Sequence, residues 1–320
     1  MPRIRFALVA ALCGVCAATP ARHAWAAPSA KDLMAQARKA YLAGQYPQAI
    51  DDLKQAAQAG SAEAAYKLGV IYEHGQHVAH DYAQAAQWYR QAALKKDPDA
   101  ANNLGFLYYT GIGGNQDYAQ AFKWFMQAAK SGDNEAQTNL AGMYYHGRGV
   151  ARNYKKAVKW YAAAATQGNP YAQNNLGYLY QHGLGVRRNY KTAYYWFHKA
   201  GTQGEAFAQR NLAVMLESGW GVKQDYLEAS AWYEKAARQG DPLAQRNLGM
   251  MYEFGRGVPK DAAEAYSWYW LAEQNGSLRA KVDAKRIAER LTPAQIAEAQ
   301  KKALAEKAAA PQAPGAMKKP

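Results

Sequence analysis

The chain has 320 residues, 49% of them apolar, with 39 lysines and arginines against 25 aspartates and glutamates, a formal net charge of +14. The apolar share excludes a disordered chain, and the only cysteines, Cys13 and Cys16, are too few and too close together for a disulfide-built fold. A basic excess of this size favours acidic partners, anionic headgroups or negatively charged envelope polymers.

Residues 1–26 read as a signal peptide: Arg3 and Arg5 open it, an apolar run extends from Phe6 to Ala18, and Ala24-Trp25-Ala26 fits a small-residue cleavage rule. The run is too short to span a bilayer. Both cysteines lie inside it, so the chain left after cleavage has no thiol for disulfide or zinc-thiolate chemistry. Ala-Ala-Leu and Cys-Gly-Val before the cysteines are a poor lipoprotein context, so no lipid anchor is expected. Cleavage removes three arginines and no acid, leaving a charge of +11. The expected location is periplasmic or secreted.

Residues 27–60 carry a degenerate unit, matched at Ala40, Tyr41, Gly44, Tyr46, Ala49, Ala56 and Ala57, with Asp52 where a tryptophan is due. From 61 to 276 one pattern returns six times at a spacing of 36 residues, with Leu68, Leu104, Leu140, Leu176, Leu212 and Leu248 as its markers. Trp88, Trp124, Trp160, Trp196, Trp232 and Trp268 follow each leucine by twenty residues. Such a period is the signature of a stacked array.

Each unit reads as two helices. In the fourth, Ala172, Leu176, Gly177 and Tyr180 share one helical face, and Gly183 and Gly185 break it. The second helix carries Ala193, Trp196, Phe197, Ala200 and Gly201 on one face. It opens at Asn189, equivalent to Asp81, Asp117, Asn153, Asp225 and Asp261, all good N-caps because a short side-chain oxygen accepts a free backbone N–H. Asp97-Pro98, Asn169-Pro170 and Asp241-Pro242 start first helices, and Gly132, Gly168, Gly204 and Gly240 end second ones. Gly69, Gly105, Ala141, Gly177, Ala213 and Gly249 are small enough to bring the two helices of a unit together, while tryptophan and tyrosine fill the space between units. Residues 277–307 form C-terminal capping helices, the last opened by a capping box at Thr292 and Gln295. Residues 308–320 form a disordered tail of alanine, proline and lysine.

The pattern A-x-x-x-L-G-x-x-Y-x-x-G-x-G-V, then D-x-x-x-A-x-x-W-Y-x-x-A-A, seen at Ala172 to Val186 and from Asn189 to Gly201, resembles the Sel-one-like repeat (SLR), a relative of the tetratricopeptide repeat. The resemblance covers roughly residues 60 to 276 and implies an all-α fold, an α/α right-handed superhelical solenoid that binds other proteins. Bacterial members are commonly exported. They include envelope adaptors, host-interaction factors and periplasmic immunity proteins against lipase-type effectors. A cysteine-rich branch is linked to β-lactam hydrolysis, from which this chain departs because the part left after cleavage has no cysteine.

No nucleophile elbow, zincin or P-loop pattern occurs. His74, His146 and His182 recur six residues after the leucine, but helices pack ~8–10 Å apart and zinc holds imidazole at ~2 Å, so no metal site is expected. No cofactor and no catalysis are expected either. The glycine pairs of the loops are turn residues.

Asn103, Asn139, Asn175, Asn211 and Asn247 form a ladder on the edge that tetratricopeptide geometry makes the inner one. They either clamp the backbone of an extended partner or bond neighbouring repeats. The relative's binding face implies inner positions five and two before the leucine and two, five and six after it. A ligand is not periodic as the stack is, so the members that differ between units are the candidates: Phe106, Tyr109, Tyr145, His146, Tyr178, Gln181 and His182, flanked by Phe207, Arg210, Arg246 and Met250. Aromatic and arginine side chains are the usual anchors of an interface. Arg148, Arg152, Lys155, Lys156, Lys159, Arg187, Arg188 and Lys191 gather at the loop edge as solvated charge or as a face for an anionic partner.

The expected function is an exported monomeric scaffold or adaptor that takes a protein or peptide in its groove, with a periplasmic immunity protein as the alternative. An enzyme of the hydrolase branch or a cell-wall polymer binder is the rival from another class. An anionic envelope surface is a further candidate partner, and nucleic acid is not expected.

Overall fold

Fourteen helices of 13 residues among the described residues, all but Tyr82–Leu94 followed by a glycine-bearing turn, generate most of the architecture. The computed structural model describes residues 28–309, so the expected signal peptide, with Cys13 and Cys16, and nearly all of the expected tail lie outside the described residues. A first pair, α1 (Ala30–Leu42) and α2 (Tyr46–Gln58), precedes six regular pairs. These are α3 (Ala62–His74) with α4 (Tyr82–Leu94), α5 (Pro98–Thr110) with α6 (Tyr118–Lys130), and α7 (Asn134–His146) with α8 (Tyr154–Thr166). Then come α9 (Pro170–His182) with α10 (Tyr190–Thr202), α11 (Ala206–Ser218) with α12 (Tyr226–Arg238), and α13 (Pro242–Phe254) with α14 (Ala262–Gln274). Helices α15 (Leu278–Ala288) and α16 (Pro293–Ala309) close the array, and no strand occurs among the described residues.

Helix boundaries fall where cap chemistry dictates. Asp81, Asp117, Asn153, Asn189, Asp225 and Asp261 each hold extended backbone and accept an N–H from the first turn of the second helix. Gly132, Gly168, Gly204 and Gly240 follow the second helices with φ between +89° and +98°, a region that L side chains avoid. The loop glycine Gly185 (φ +70°) is fixed twice over, because a Cβ there would lie 2.4 Å from the Tyr154 carbonyl carbon of the preceding unit.

Within a unit, the small residue after the leucine receives a ring from the second helix. A Cβ on Gly177 would lie 2.9 Å from two ring carbons of Phe197, and one on Gly69 would lie 2.5 Å from the Tyr89 ring. The tryptophans, expected to fill the spaces, are not the deepest rings. Trp124, Trp232 and Trp268 are buried but Trp88, Trp160 and Trp196 only half-buried. The next residue in each unit, among them Tyr89, Phe125, Phe197, Tyr233 and Tyr269, is almost wholly enclosed. Burying such a ring contributes ~1.5–3 kcal/mol, and it lies between the unit's own helices.

Units stack in chain order, each second helix packing on the next first helix. Every joint uses the same carbonyl near the end of a second helix, and a glutamine always meets it. At the first two joints the glutamine comes from the following second helix: Gln91 Nε2 donates to Ala57 O (2.9 Å) and Gln127 Nε2 to Ala93 O (2.6 Å). At the next four it comes from the following first helix, with Gln137, Gln173, Gln209 and Gln245 donating to Ala129, Ala165, Gly201 and Ala237 over 2.9–3.2 Å. These four are buried, and each accepts in turn from Gln167, Gln203, Gln239 or Asn275. Nothing in the sequence reading singled out this series.

The ends deviate where no neighbour exists. Asp52, at the tryptophan position of the first pair, is buried and accepts from Gln48 Nε2 at 2.8 Å. At the other end Thr292 and Gln295 form a reciprocal cap, and α16 folds back on α14, where Ser267 Oγ donates to Ala299 O at 2.9 Å. Helix α16 runs to Ala309, two residues beyond the expected boundary. No helix among the described residues is long and apolar enough to cross a membrane.

Candidate protein-binding face

Five residues after the leucine, in the last turn of each first helix, the repeats divide into two kinds. Units one, five and six carry Glu73, Glu217 and Glu253, which accept from the hydroxyls of Tyr89, Tyr233 and Tyr269 in their own second helices. Burial and the adjoining carboxylates push these phenols well above their usual range. Units two, three and four have Tyr109, Tyr145 and Gln181 instead. Their second helices supply Phe125 and Phe197, which have no hydroxyl, and Tyr161, whose pKa is raised by burial. With the carboxylate not needed inside, the position is open to rings.

Those rings touch. The centroid of Tyr145 lies 5.4 Å from Tyr154 and 6.4 Å from Tyr178, both edge to face, and Tyr178 lies 4.2 Å from His182. Offset and perpendicular pairs of this kind hold their geometry without a ligand. Tyr178 is 37% exposed and His182 and His146 are exposed, while Phe106, Tyr109 and Tyr145 are half-buried. Burial raises the Tyr145 pKa, with the neighbouring Tyr178 adding to it. Burial lowers the His146 pKa, and the charge of Arg148 lowers it further, which favours the neutral ring. Arg148 lies over Tyr109 at 5.5 Å and donates to its hydroxyl, joining the ring cluster to the loop edge.

Four expected groove residues are placed otherwise. Gln181 is buried and lines no open surface. Arg210 pairs with the buried Asp241 of the next unit at 2.6 Å, and Arg246 pairs with Asp283 of α15 at 2.6 Å, so both cations are spent on joints. Met250 is half-buried against the C-terminal cluster that includes Ile287 and Tyr269. Phe207, 52% exposed, lies apart from the central rings, under the Arg210 guanidinium at 5.3 Å.

Four asparagines of the ladder reach into the preceding unit. Asn139 donates to Asn102 (3.1 Å) and Asn211 to Asn174 (3.0 Å). Asn103 and Asn247 lie beside the Tyr89 and Tyr233 hydroxyls and lower their pKa against the larger effect of burial. Asn175 donates to Tyr171 O of its own helix at 2.8 Å. A backbone clamp would need those same N–H groups.

Arg148, Arg152, Lys155, Lys156, Lys159, Arg187, Arg188 and Lys191 are all exposed. They lie in the loops α7–α8 and α9–α10 or in the early turns of α8 and α10. No group of three or more potential metal ligands occurs among the described residues. A cavity of about 970 Å³ is one the sequence did not flag: an apolar cleft between the first pair and unit one, walled by Met34, Leu42, Ile50, Leu53, Val70 and Ile71.

Paired helices stacked through one repeated joint define an α/α repeat solenoid. The Sel1 repeat model matches six times in succession, at residues 62–97, 98–133, 134–169, 170–205, 206–241 and 242–277, and the chain belongs to that family. Sel1 repeats build protein–protein interaction scaffolds that are generally non-enzymatic. The chain is 34% identical to a protective antigen of uropathogenic Escherichia coli that displays the SLR fold, covering 87% of this chain and 69% of that one, with a TM-score of 0.67. It is 28% identical to a Sel1 repeat protein from Oxalobacter formigenes, over 77% of this chain and 98% of that one, with a TM-score of 0.68. An immunity protein from Pseudomonas aeruginosa is 22% identical over 68% of this chain and 82% of its own, with a TM-score of 0.45, too remote to argue for a neutralising role. No curated protein matches the chain significantly.

Proposed function

We propose that the protein is an exported scaffold that holds a protein or peptide partner against the inner face of units two to four and performs no chemistry of its own. The observation that carries this reading is the coincidence of two departures from the repeat. The internal carboxylate–tyrosine bond is missing in these three units, and rings of Tyr109, Tyr145, Tyr178 and His182 occupy the surface beside it. Rings held by their neighbours lose little freedom on binding and keep a polar tip, as interface anchors require. Export rests on the N-terminal sequence, with Arg3, Arg5 and the apolar run that follows.

A photo-crosslinking residue at Tyr178 tests the reading against one at Tyr195, a ring on the second helix of the same unit that is 49% exposed. Position 178 should trap a defined protein adduct in cells, and position 195 should not. Equal trapping at both positions, or none at 178, would remove the basis for an inner-face site.

A further inference from the structure

We infer that the loop edge of units three and four is a docking surface for an acidic segment of a protein partner, which deepens the scaffold reading and rests on it. The charge of the array is not spread along it. Residues 134–205 hold nine lysines and arginines and two acids, whereas residues 62–133 hold six and seven, and residues 206–277 seven and nine. The two acids, Glu135 and Glu205, lie at the starts of α7 and α11, the opposite helix ends from the α7–α8 and α9–α10 loops.

Acids have also been left out of that edge where the fold itself accepts them. The second-helix cap is aspartate in units one, two, five and six but asparagine, Asn153 and Asn189, in units three and four. Capping does not require the change. Asn153 Oδ1 accepts from Lys156 N at 3.0 Å and Asn189 Oδ1 from Thr192 N at 3.1 Å, while Asp81 accepts from Gln84 N at 2.9 Å. The last-turn glutamate is absent from units two, three and four, so units three and four, with Tyr145 and Gln181 in its place, lack both acids. What unites these replacements is loss of negative charge at one end of two adjacent units.

The cations there are unpaired. Among the described residues, no ion pair involves any of Arg148, Arg152, Lys155, Arg187, Arg188 or Lys191, although units five and six pair Arg210, Arg238, Arg246 and Arg256. Arg187, Arg188 and Lys191 wall an open basin of about 600 Å³ at the start of α10.

The choice of occupant follows from the tyrosines. Arg152 lies over Tyr154 at 5.4 Å, Arg188 over Tyr190 at 5.5 Å, and Arg148 over Tyr109 and Tyr118 at 5.5 and 5.9 Å. Each guanidinium is steadied by a ring and covers the ring face on which a nucleic-acid base would stack. The planar N–H forks remain, and these match carboxylates two bonds at a time. The rings under these cations also continue through Tyr154 to Tyr145 and Tyr178, so a segment that carries acids and apolar side chains together fits edge and rings at once.

The test is fluorescence anisotropy of the purified protein with a labelled peptide of about 12 residues alternating glutamate and serine, long enough in extended form to span both units. Binding should appear at low salt and weaken as the Debye length shrinks. Arg152→Glu with Arg188→Glu should weaken it by about tenfold or more. Asn153→Asp with Asn189→Asp keeps the caps that four other units use, so it should leave the melting temperature unchanged or higher while weakening the peptide by about threefold. Lys95→Glu with Lys96→Glu, an equal charge reversal elsewhere, should have little effect.

Equal loss in the Lys95/Lys96 variant, or no loss in either edge variant, would overturn the inference. So would tighter binding of oligothymidylate of equal charge, or of phosphatidylglycerol vesicles. If the edge variants change nothing while Tyr178 still crosslinks a partner, the edge inference fails and the scaffold stands. If peptide binding responds as expected but Tyr178 traps nothing, the inner-face reading fails instead.

Discussion

Replacing Gln173 by methionine, similar in length but without the amide, cuts the joint between units three and four. Gln173 is 2% exposed, donates to Ala165 O at 3.1 Å and accepts from Gln203 Nε2 at 2.7 Å. Ala165 O keeps the turn bond from Gly168 N at 3.1 Å, and Gln203 also lies 3.2 Å from Lys199 O. Both partners therefore retain one bond, so the cost is the net loss of two hydrogen bonds at ~0.5–1.5 kcal/mol each, about 2 kcal/mol. For a chain of this size that corresponds to a fall of roughly 4–8 °C in Tm. Because repeat arrays couple neighbour to neighbour, the thermal transition followed by circular dichroism should also broaden as the two halves uncouple. Gln203→Met, which strips only the partly exposed end of the bond, should cost less. A Tm within about 1 °C of the parent for Gln173→Met would refute the claim that this ladder holds the units together.

Three further outcomes follow from the same geometry. Gly177→Ala should destabilise the chain, although an exposed helical glycine gains ~1 kcal/mol from that change, because the new Cβ meets the Phe197 ring at 2.9 Å; a rise in Tm would show that the ring moves freely. The carboxyl of Glu253 is held below its usual range first by the hydrogen bond from Arg286 and then by that from Tyr269, against the opposing effect of burial. A carboxylate depressed in the folded state contributes stability above its unfolded value of ~4.3 and loses it as pH falls through the lower folded value. Hydrogen exchange in α13 to α15 should therefore rise below about pH 4.3, and Arg286→Met should flatten that dependence; an unchanged profile would contradict the assignment. Tyr161→Phe should leave stability nearly unaltered, because no carboxylate accepts its hydroxyl as Glu217 does for Tyr233. A loss in Tyr161→Phe equal to that in Tyr233→Phe, read by urea denaturation, would argue otherwise.

Features that a single unit needs were legible from residues alone. Caps, turn glycines and the small residue beside the leucine act within about twenty residues, so the same local chemistry repeats six times at a fixed register. The joint was not legible, because its glutamine comes from the second helix at Ala57 and Ala93 and from the first helix at the four later carbonyls. Neither series alone runs the length of the array. An exchange between the two, with Ala65 and Ala101 standing where Gln137 and Gln173 recur, was the available signal. Arg210 and Arg246 stand two residues before their leucines, an inner position by the relative's binding face; their partners lie 31 and 37 residues away, across a joint that only the stacked geometry brings together. Gln181 sits at a position whose other members alternate between an internal bond and the open face, and its burial could not be read from that alternation.

The division between side chains that hold the stack and side chains that meet a partner is tested most directly by measuring both properties on one variant. Tyr178 and His182 are exposed and pack on each other, so Tyr178→Ala with His182→Ala should shift Tm by no more than about 2 °C, as surface changes do. Affinity for the protein trapped at position 178 should fall about tenfold or more in the same variant. A Tm loss as large as that of Gln173→Met, with affinity intact, would place these rings in the scaffold and leave the inner face without a binding role.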